Sequence, residues 1–109
     1  MKTILKDRTE YRDKSKQFHR TDGPAVEYSN GDKFWYVEGK PHRTDGPAIE
    51  RSSGTKEWYV EGKLHRLDGP AMEWSNGSKF WFVEGKQYSE IEFMHKLYPV
   101  KKPEYLKNS

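Results

Sequence analysis

The sequence predicts an all-β protein: an elongated, twisted antiparallel meander of three 23-residue β-hairpin repeats, preceded by a degenerate unit and closed by a short helix. Three observations carry that prediction. His19, His42 and His65 stand 23 residues apart, and the same interval relates Asp22, Asp45 and Asp68, then Trp35, Trp58 and Trp81. Each interval holds two runs of β-branched and aromatic residues on either side of a Gly-containing turn, which is a hairpin signature. The series then stops, because Tyr88 stands where a fourth His would fall. A period of this length marks one supersecondary unit that relies on stacked neighbours to bury its apolar face.

Residues 1–18 form the degenerate opening unit. Tyr11 to His19 follows the outline of Trp35 to His42 with one extra residue in the turn and without its Gly. The full repeats are 19–41, 42–64 and 65–87. In the first, Pro24–Tyr28 and Lys33–Val37 flank Ser29-Asn30-Gly31; the matching turns are Ser52-Ser53-Gly54 and Ser75-Asn76-Gly77. A two-residue loop would force a positive φ on Ser53, whereas a three-residue loop with a G1 bulge demands it only of the Gly. The three-residue loop sets Glu27 opposite Lys33, Glu50 opposite Lys56 and Glu73 opposite Lys79. One face then carries Ala, Trp and Val identically in every copy, read as a ladder of rings stacked between units. The other face drifts: Val26, Phe34 and Tyr36, then Ile49, Glu57 and Tyr59, then Met72, Phe80 and Phe82.

A second tight turn, Val37-Glu38-Gly39-Lys40 and its equivalents, closes each unit. The His-Arg-x-Asp-Gly-Pro segment that follows must bend, since the residue before Pro avoids helix and Pro lacks an N–H. At 88–98, Ser89-Glu90-Ile91-Glu92 is a capping box, with Tyr88 and Phe93 as a hydrophobic staple. Ile91, Met94 and Leu97 or Tyr98 share a helical face, and Pro99 stops the helix. The helix is expected to lie over the last hairpin. The tail 99–109 is charged and broken by Pro103, and Tyr105-Leu106 are its candidates for docking.

Composition narrows the function. Apolar residues make up only 32% but aromatic residues 15%, so the core must be built from a few large rings. The absence of cysteine removes disulfides and thiolate sites and fits a reducing, cytoplasmic setting. No signal-like or membrane-spanning apolar run is present, so no membrane insertion is expected. The net charge of +3 comes from interspersed signs rather than a polycation.

The residues Asp45-Gly46-Pro47-Ala48, Trp58, Val60 and Gly62-Lys63, with their equivalents, resemble the "HRxDGPA…WxVxGK" repeats of MORN-like and YwqK-like proteins found in phages and giant viruses. The resemblance covers residues 19 to 87. It implies an elongated antiparallel scaffold that binds other proteins and, if the origin is viral, a small inhibitor of a host defence or toxin protein acting in the host cytoplasm. Asp-Gly-Pro-Ala replaces the Gly-x-Gly of commoner MORN units, which argues against the lipid role proposed for some of them.

The His and Asp rows do not read as a metal centre. Equivalent positions lie one two-strand unit apart, about 9–10 Å, and cannot converge on one ion. His and Arg are expected to pack on or bond the Asp-Gly bend, with Arg20/Asp22, Arg43/Asp45 and Arg66/Asp68 as ion pairs. His95 alone is not repeated, and no nucleophile, base and orienter cluster stands out, so no catalytic residue and no cofactor is assigned. The reading is a non-catalytic protein-binding repeat. Its candidate partner residues are Tyr28, Phe34, Tyr36, Tyr59, Trp74, Phe80 and Phe82, on the drifting face, unless helix and tail cover that face as a second small core. Single-stranded nucleic acid is the alternative partner, since rings and lysines interleave, but the glutamates opposite Lys33, Lys56 and Lys79 weigh against it. A structural or membrane-associated MORN scaffold is the other alternative. Oligomeric state is left open.

Overall fold

A computed structural model of the chain describes residues 1–99. The expectations for Pro103, Tyr105 and Leu106 fall outside that range. The first unit contains β1 (Lys2–Ile4) and β2 (Arg8–Tyr11). The first repeat supplies β3 (Val26–Tyr28), β4 (Lys33–Phe34), β5 (Tyr36–Val37) and β6 (Lys40–Pro41). The second supplies β7 (Ile49–Glu50), β8 (Lys56–Glu57), β9 (Tyr59–Val60) and β10 (Lys63–Leu64). The third supplies β11 (Met72–Glu73), β12 (Lys79–Val83) and β13 (Lys86–Tyr88), and α1 (Glu90–Leu97) follows. Nine strands form one sheet, ordered β1-β2-β3-β4-β7-β8-β11-β12-β13, with every neighbour antiparallel. Two-stranded ribbons, β5 with β6 and β9 with β10, hang from it. The radius of gyration is 18.0 Å, against roughly 13 Å for a compact domain of this size. The all-β, elongated meander is therefore the fold.

The expected register holds. Glu27 faces Lys33, Glu50 faces Lys56 and Glu73 faces Lys79. Gly31, Gly54 and Gly77 close the three-residue loops at φ of 102°, 100° and 92°, a conformation that an L side chain resists. Consecutive hairpins also pair with each other, so Lys33 faces Glu50 and Lys56 faces Glu73. The charges thus form one unbroken row across the sheet: Glu27, Lys33, Glu50, Lys56, Glu73, Lys79.

In the first two repeats the long second strand breaks at its Trp. The Trp35 N–H donates to the Ala48 carbonyl of the next unit at 2.7 Å, and its own carbonyl accepts from the His42 N–H at 3.0 Å. Beyond that point the strand turns back on itself as a ribbon. Trp58 does the same with Ala71 and His65. The third repeat has no successor, and β12 runs unbroken from Lys79 to Val83.

The second turn is type I′ in character, with Glu38, Glu61 and Glu84 at φ of 51°, 50° and 50° ahead of glycines at 78°, 81° and 83°. A non-Gly residue in this region costs about 1–2 kcal/mol. Its N–H groups are caught where the unit begins: Glu38 N–H donates to His19 Nδ1 at 3.0 Å, and Gly39 N–H to the carbonyl of Phe18, the last residue of the unit before, at 2.9 Å. His42 and His65 receive Glu61 and Glu84 in the same way, each at 2.9 Å. The histidines therefore cap this turn rather than bond the Asp-Gly bend. Accepting at Nδ1 demands the neutral imidazole with its proton on Nε2.

The opening unit repeats this plan with substitutes. Tyr11 N–H donates to the Ala25 carbonyl at 2.7 Å, as Trp35 does to Ala48, and His19 N–H donates to the Tyr11 carbonyl. Arg12 bridges Phe18, and Lys16 takes the missing Gly's place at φ 66°. The Asp13 carboxylate accepts from Ser15 and Gln17 N–H groups and holds that wider turn together.

α1 begins with the full capping box, Ser89 with Glu92. The face it buries differs from the sequence expectation. Phe93 is buried and Leu97 half-buried, one turn apart, whereas Ile91 and Met94 are 68% and 47% exposed. The staple explains this: Tyr88 draws Phe93 inward at N4, and the stripe through Ile91 and Met94 turns to solvent.

Candidate partner-binding faces

The two sides of the sheet are built differently. On the invariant side, Ala25, Ala48 and Ala71 are fully buried, but the tryptophans do not stack ring on ring. Equivalent positions are two strands apart, about 9–10 Å, beyond the 4.5–7 Å of ring contact. An arginine fills the gap. Arg43 lies over Trp35 at 3.8 Å, Arg66 over Trp58 at 3.9 Å, and Arg20 over Tyr11, the opening unit's substitute ring, at 4.0 Å. Each such stack is worth about 0.5–2 kcal/mol, depending on how dry it is.

These arginines are fixed on all sides. Their Nε donates to Asp22, Asp45 and Asp68 at 2.9, 2.8 and 2.8 Å. Their Nη1 donates to the carbonyls of Pro24, Pro47 and Pro70. Arg43 also bonds Glu50 at 2.7 Å. The expected Arg–Asp pairs are therefore present, and hydrogen bonding from Arg holds all three Asp carboxyls below their ordinary range. The bend glycines are needed because the guanidinium lies flat against them: a Cβ on Gly46 would sit 2.8 Å from Arg43 Cζ.

Between successive bends this side opens into grooves. One, of 420 Å³, is floored by Trp35 and Val37 and walled by the Asp22 and Asp45 bends. The next, of 670 Å³, is floored by Trp58 and Val60 and walled by the Asp45 and Asp68 bends, with Leu67 on its rim. Sequence reasoning missed both, because it took the Trp face for closed stacking. The signal available was the Arg in every His-Arg-x-Asp-Gly-Pro segment.

The drifting side carries the predicted partner residues, and the structure gathers them into two clusters. Phe18 and Tyr36 approach at 5.6 Å, Tyr36 and Phe34 at 6.5 Å, and Phe34 and Tyr28 edge-on at 5.7 Å. Phe18 was not among the predicted residues and completes the strip. Arg12, Arg8 and Arg51 frame it, 4.0, 5.9 and 5.6 Å from the Phe18, Tyr28 and Phe34 rings. At the other end Trp74 and Phe80 pack at 4.8 Å, with half-buried Phe82 beyond in the same strand. Between the clusters lies a polar break, where Arg51 pairs with buried Glu57 at 3.4 Å and the Tyr59 hydroxyl also reaches Glu57 at 3.4 Å. Burial, with Glu57 beside it, raises the Tyr59 pKa. Tyr28 is 37% and Trp74 43% exposed, so α1 leaves these two rings open.

His19, His42 and His65 remain in a row, each on its own turn. Among the described residues no three His, Asp or Glu side chains gather as a metal-binding group. Within the same range no helix is long and apolar enough to cross a membrane. No family model, curated protein or solved structure matches the chain, so the functional reading rests on its own geometry.

Proposed function

We propose that the chain is a non-catalytic repeat scaffold that binds another protein through its drifting face. The supporting observation is the Phe18–Tyr36–Phe34–Tyr28 strip. It is a connected row of rings on a sheet side where, among the described residues, no second layer covers Tyr28, and arginines frame it. Aromatic residues and Arg are the types that dominate protein interfaces, and a few of them usually carry the affinity. The identical units give a rigid frame and the drift between copies gives a surface of its own, which is how repeat scaffolds generate specificity. The MORN-like resemblance fits such a scaffold. The finer reading, a small viral inhibitor of a host defence or toxin protein, rests on that resemblance alone.

The test compares wild type with Phe34→Ala and Tyr36→Ala in affinity capture of a host protein, followed by titration of that protein. Affinity should fall 10-fold or more, about 1.4 kcal/mol, with the melting temperature little changed. Lost stability with unchanged binding would assign this strip to the core instead. Single-stranded nucleic acid is the second reading. A steep fall in oligonucleotide affinity with rising salt would favour it. Against it stands the alternating row of Glu27, Lys33, Glu50, Lys56, Glu73 and Lys79, which leaves the lysines no uncompensated cationic track.

A further inference from the structure

The third unit displays what its groove is shaped to hold. A fourth bend would follow Tyr88, and α1 begins there, at Glu90. Its far end is tied to the third bend, where the Tyr98 hydroxyl donates to the Leu67 carbonyl at 3.3 Å. Eight residues at about 1.5 Å each make roughly 12 Å, which matches the 9–10 Å or so of one two-strand unit. The helix therefore runs from the place of a fourth bend back to the third, at the end of the sheet where β12 carries Trp81 and Val83, the repeat equivalents of Trp58 and Val60. It packs there against β12 and β13 and buries Phe93 to 2% exposure. Ser89 occupies the repeat position of Arg43 and Arg66. Trp81 accordingly has no arginine from a following bend, and a helix stands in its place.

The first two grooves have the same floor and the same bends but, among the described residues, no helix. We infer that they are docking sites for a partner's short amphipathic helix with a single aromatic anchor, a segment of the chemistry of α1. The groove over Trp58 is the better of the two. It is the larger, at 670 Å³, within the range of sites that enclose a ligand. Leu67, 49% exposed, adds apolar rim. Arg66 shields part of the indole, and the anchor takes the space beside it.

The α1 arrangement also specifies polarity. The Tyr98 hydroxyl, just past its last turn, uses the carbonyl of Leu67 in the bend that carries Asp68, while Lys96 turns back over the Tyr88 ring. The equivalents one unit earlier are Asp45, whose side chain is 78% exposed, and the Thr44 carbonyl. An occupant of the Trp58 groove thus presents a hydrogen-bond donor at its C-terminal end to the Thr44 carbonyl, beside the open Asp45. This site shares the protein-binding class proposed above but lies on the opposite side of the sheet. Different residues report on the two, so either can fail alone.

The probe is a peptide of residues 88–98, crosslinked between the exposed positions of Glu90 and Met94 because an isolated helix this short is marginal in water. It is titrated into the full chain while the indole N–H signals of Trp35, Trp58, Trp74 and Trp81 are followed by NMR. The expected result is a saturable shift at Trp58, a weaker one at Trp35 and none at Trp74. A peptide carrying Phe93→Ala should bind at least 10-fold more weakly. Leu67→Arg in the protein should abolish the Trp58 response and spare that of Trp35, at an unchanged melting temperature. No saturable shift up to millimolar peptide, or shifts confined to Trp74 or Trp81, would overturn the inference. So would a Trp58 shift that follows protein concentration without peptide, which would make a second copy the occupant.

Discussion

Swapping Lys56 and Glu50 distinguishes a continuous charge row from a set of separate hairpins. Lys56 faces Glu50 within its hairpin and Glu73 in the next; Glu50 faces Lys56 and Lys33. The glutamates make their closest contacts to arginines, 3.9 Å for Glu27, 2.7 Å for Glu50 and 3.9 Å for Glu73. Each cross-strand Glu–Lys pair is therefore placed at the low end of its range, about 0.2–0.5 kcal/mol. Lys56→Glu turns two attractive pairs repulsive and should cost roughly 1–2 kcal/mol, or about 4–16 °C in melting temperature at 4–8 °C per kcal/mol. Glu50→Lys should cost at least as much, since it also abandons Arg43. The double swap restores the 50–56 pair but leaves like charges at 33–50 and 56–73. It should match the single mutants, far short of their summed loss, with a coupling of about 1–2 kcal/mol. Chemical denaturation of the four proteins measures it. Full recovery in the double mutant would show that the hairpins do not pair with one another. No coupling would refute the three-residue loop register.

Other perturbations separate the remaining contacts. Trp58→Ala should destabilise by about 3–5 kcal/mol and Trp74→Ala only mildly, given that Trp74 is 43% exposed; equal melting temperatures would refute the face assignment. Gly46→Ala should push Arg43 off Trp35, costing about 0.5–2 kcal/mol and shifting the Trp35 indole signal. Replacing Glu61 by Asn, which a type I′ turn prefers, should raise stability by a few tenths to about 1 kcal/mol, read in thermal melts. Acid should act through Glu10, whose carboxyl the Arg8 hydrogen bond, aided by Arg12, holds below its ordinary value. A lowered folded pKa contributes stability above the ordinary Glu range, near 4.3, that is lost as pH falls through the folded value. Glu10→Gln should flatten the acid limb of a melting-versus-pH curve.

Much of the fold was legible because local chemistry fixed it. Only Gly accepts the φ of the 29–31 loop, so the turn length followed, and with it every cross-strand partner. Ser89 and Glu92 announced the helix start within four residues. What escaped depended on distance. β1 carries almost no apolar signal, and its Lys2, Thr3 and Ile4 are placed by backbone pairing to β2. The acceptor for the Glu38 N–H lies 19 residues back at His19, beyond any local motif. Trp35 and Arg43 are eight residues apart and meet only because the chain folds back through a ribbon between them. The aromatic strip was half legible: Tyr28, Phe34 and Tyr36 were visible as drift, but Phe18 joined them only once the opening unit had folded as a repeat.

The wiring of the turns bears on how such a chain changes length. Each His clasps the turn of its own 23-residue unit, whereas each Arg reaches back to the ring of the unit before. A tandem duplication of residues 42–64 would meet, at its internal junction, the repeat equivalents of the neighbours the original segment has, Leu64 standing where Pro41 precedes His42. No clasp would be cut, no ring left uncovered, and the charge row would keep its alternation, because each unit contributes one Glu and one Lys. The end pieces, Tyr11 with its widened turn and α1 over Trp81, would be untouched. A whole unit can therefore be added or removed with each clasp, stack and charge pair matched by its equivalent, and each insertion adds one more copy of the groove.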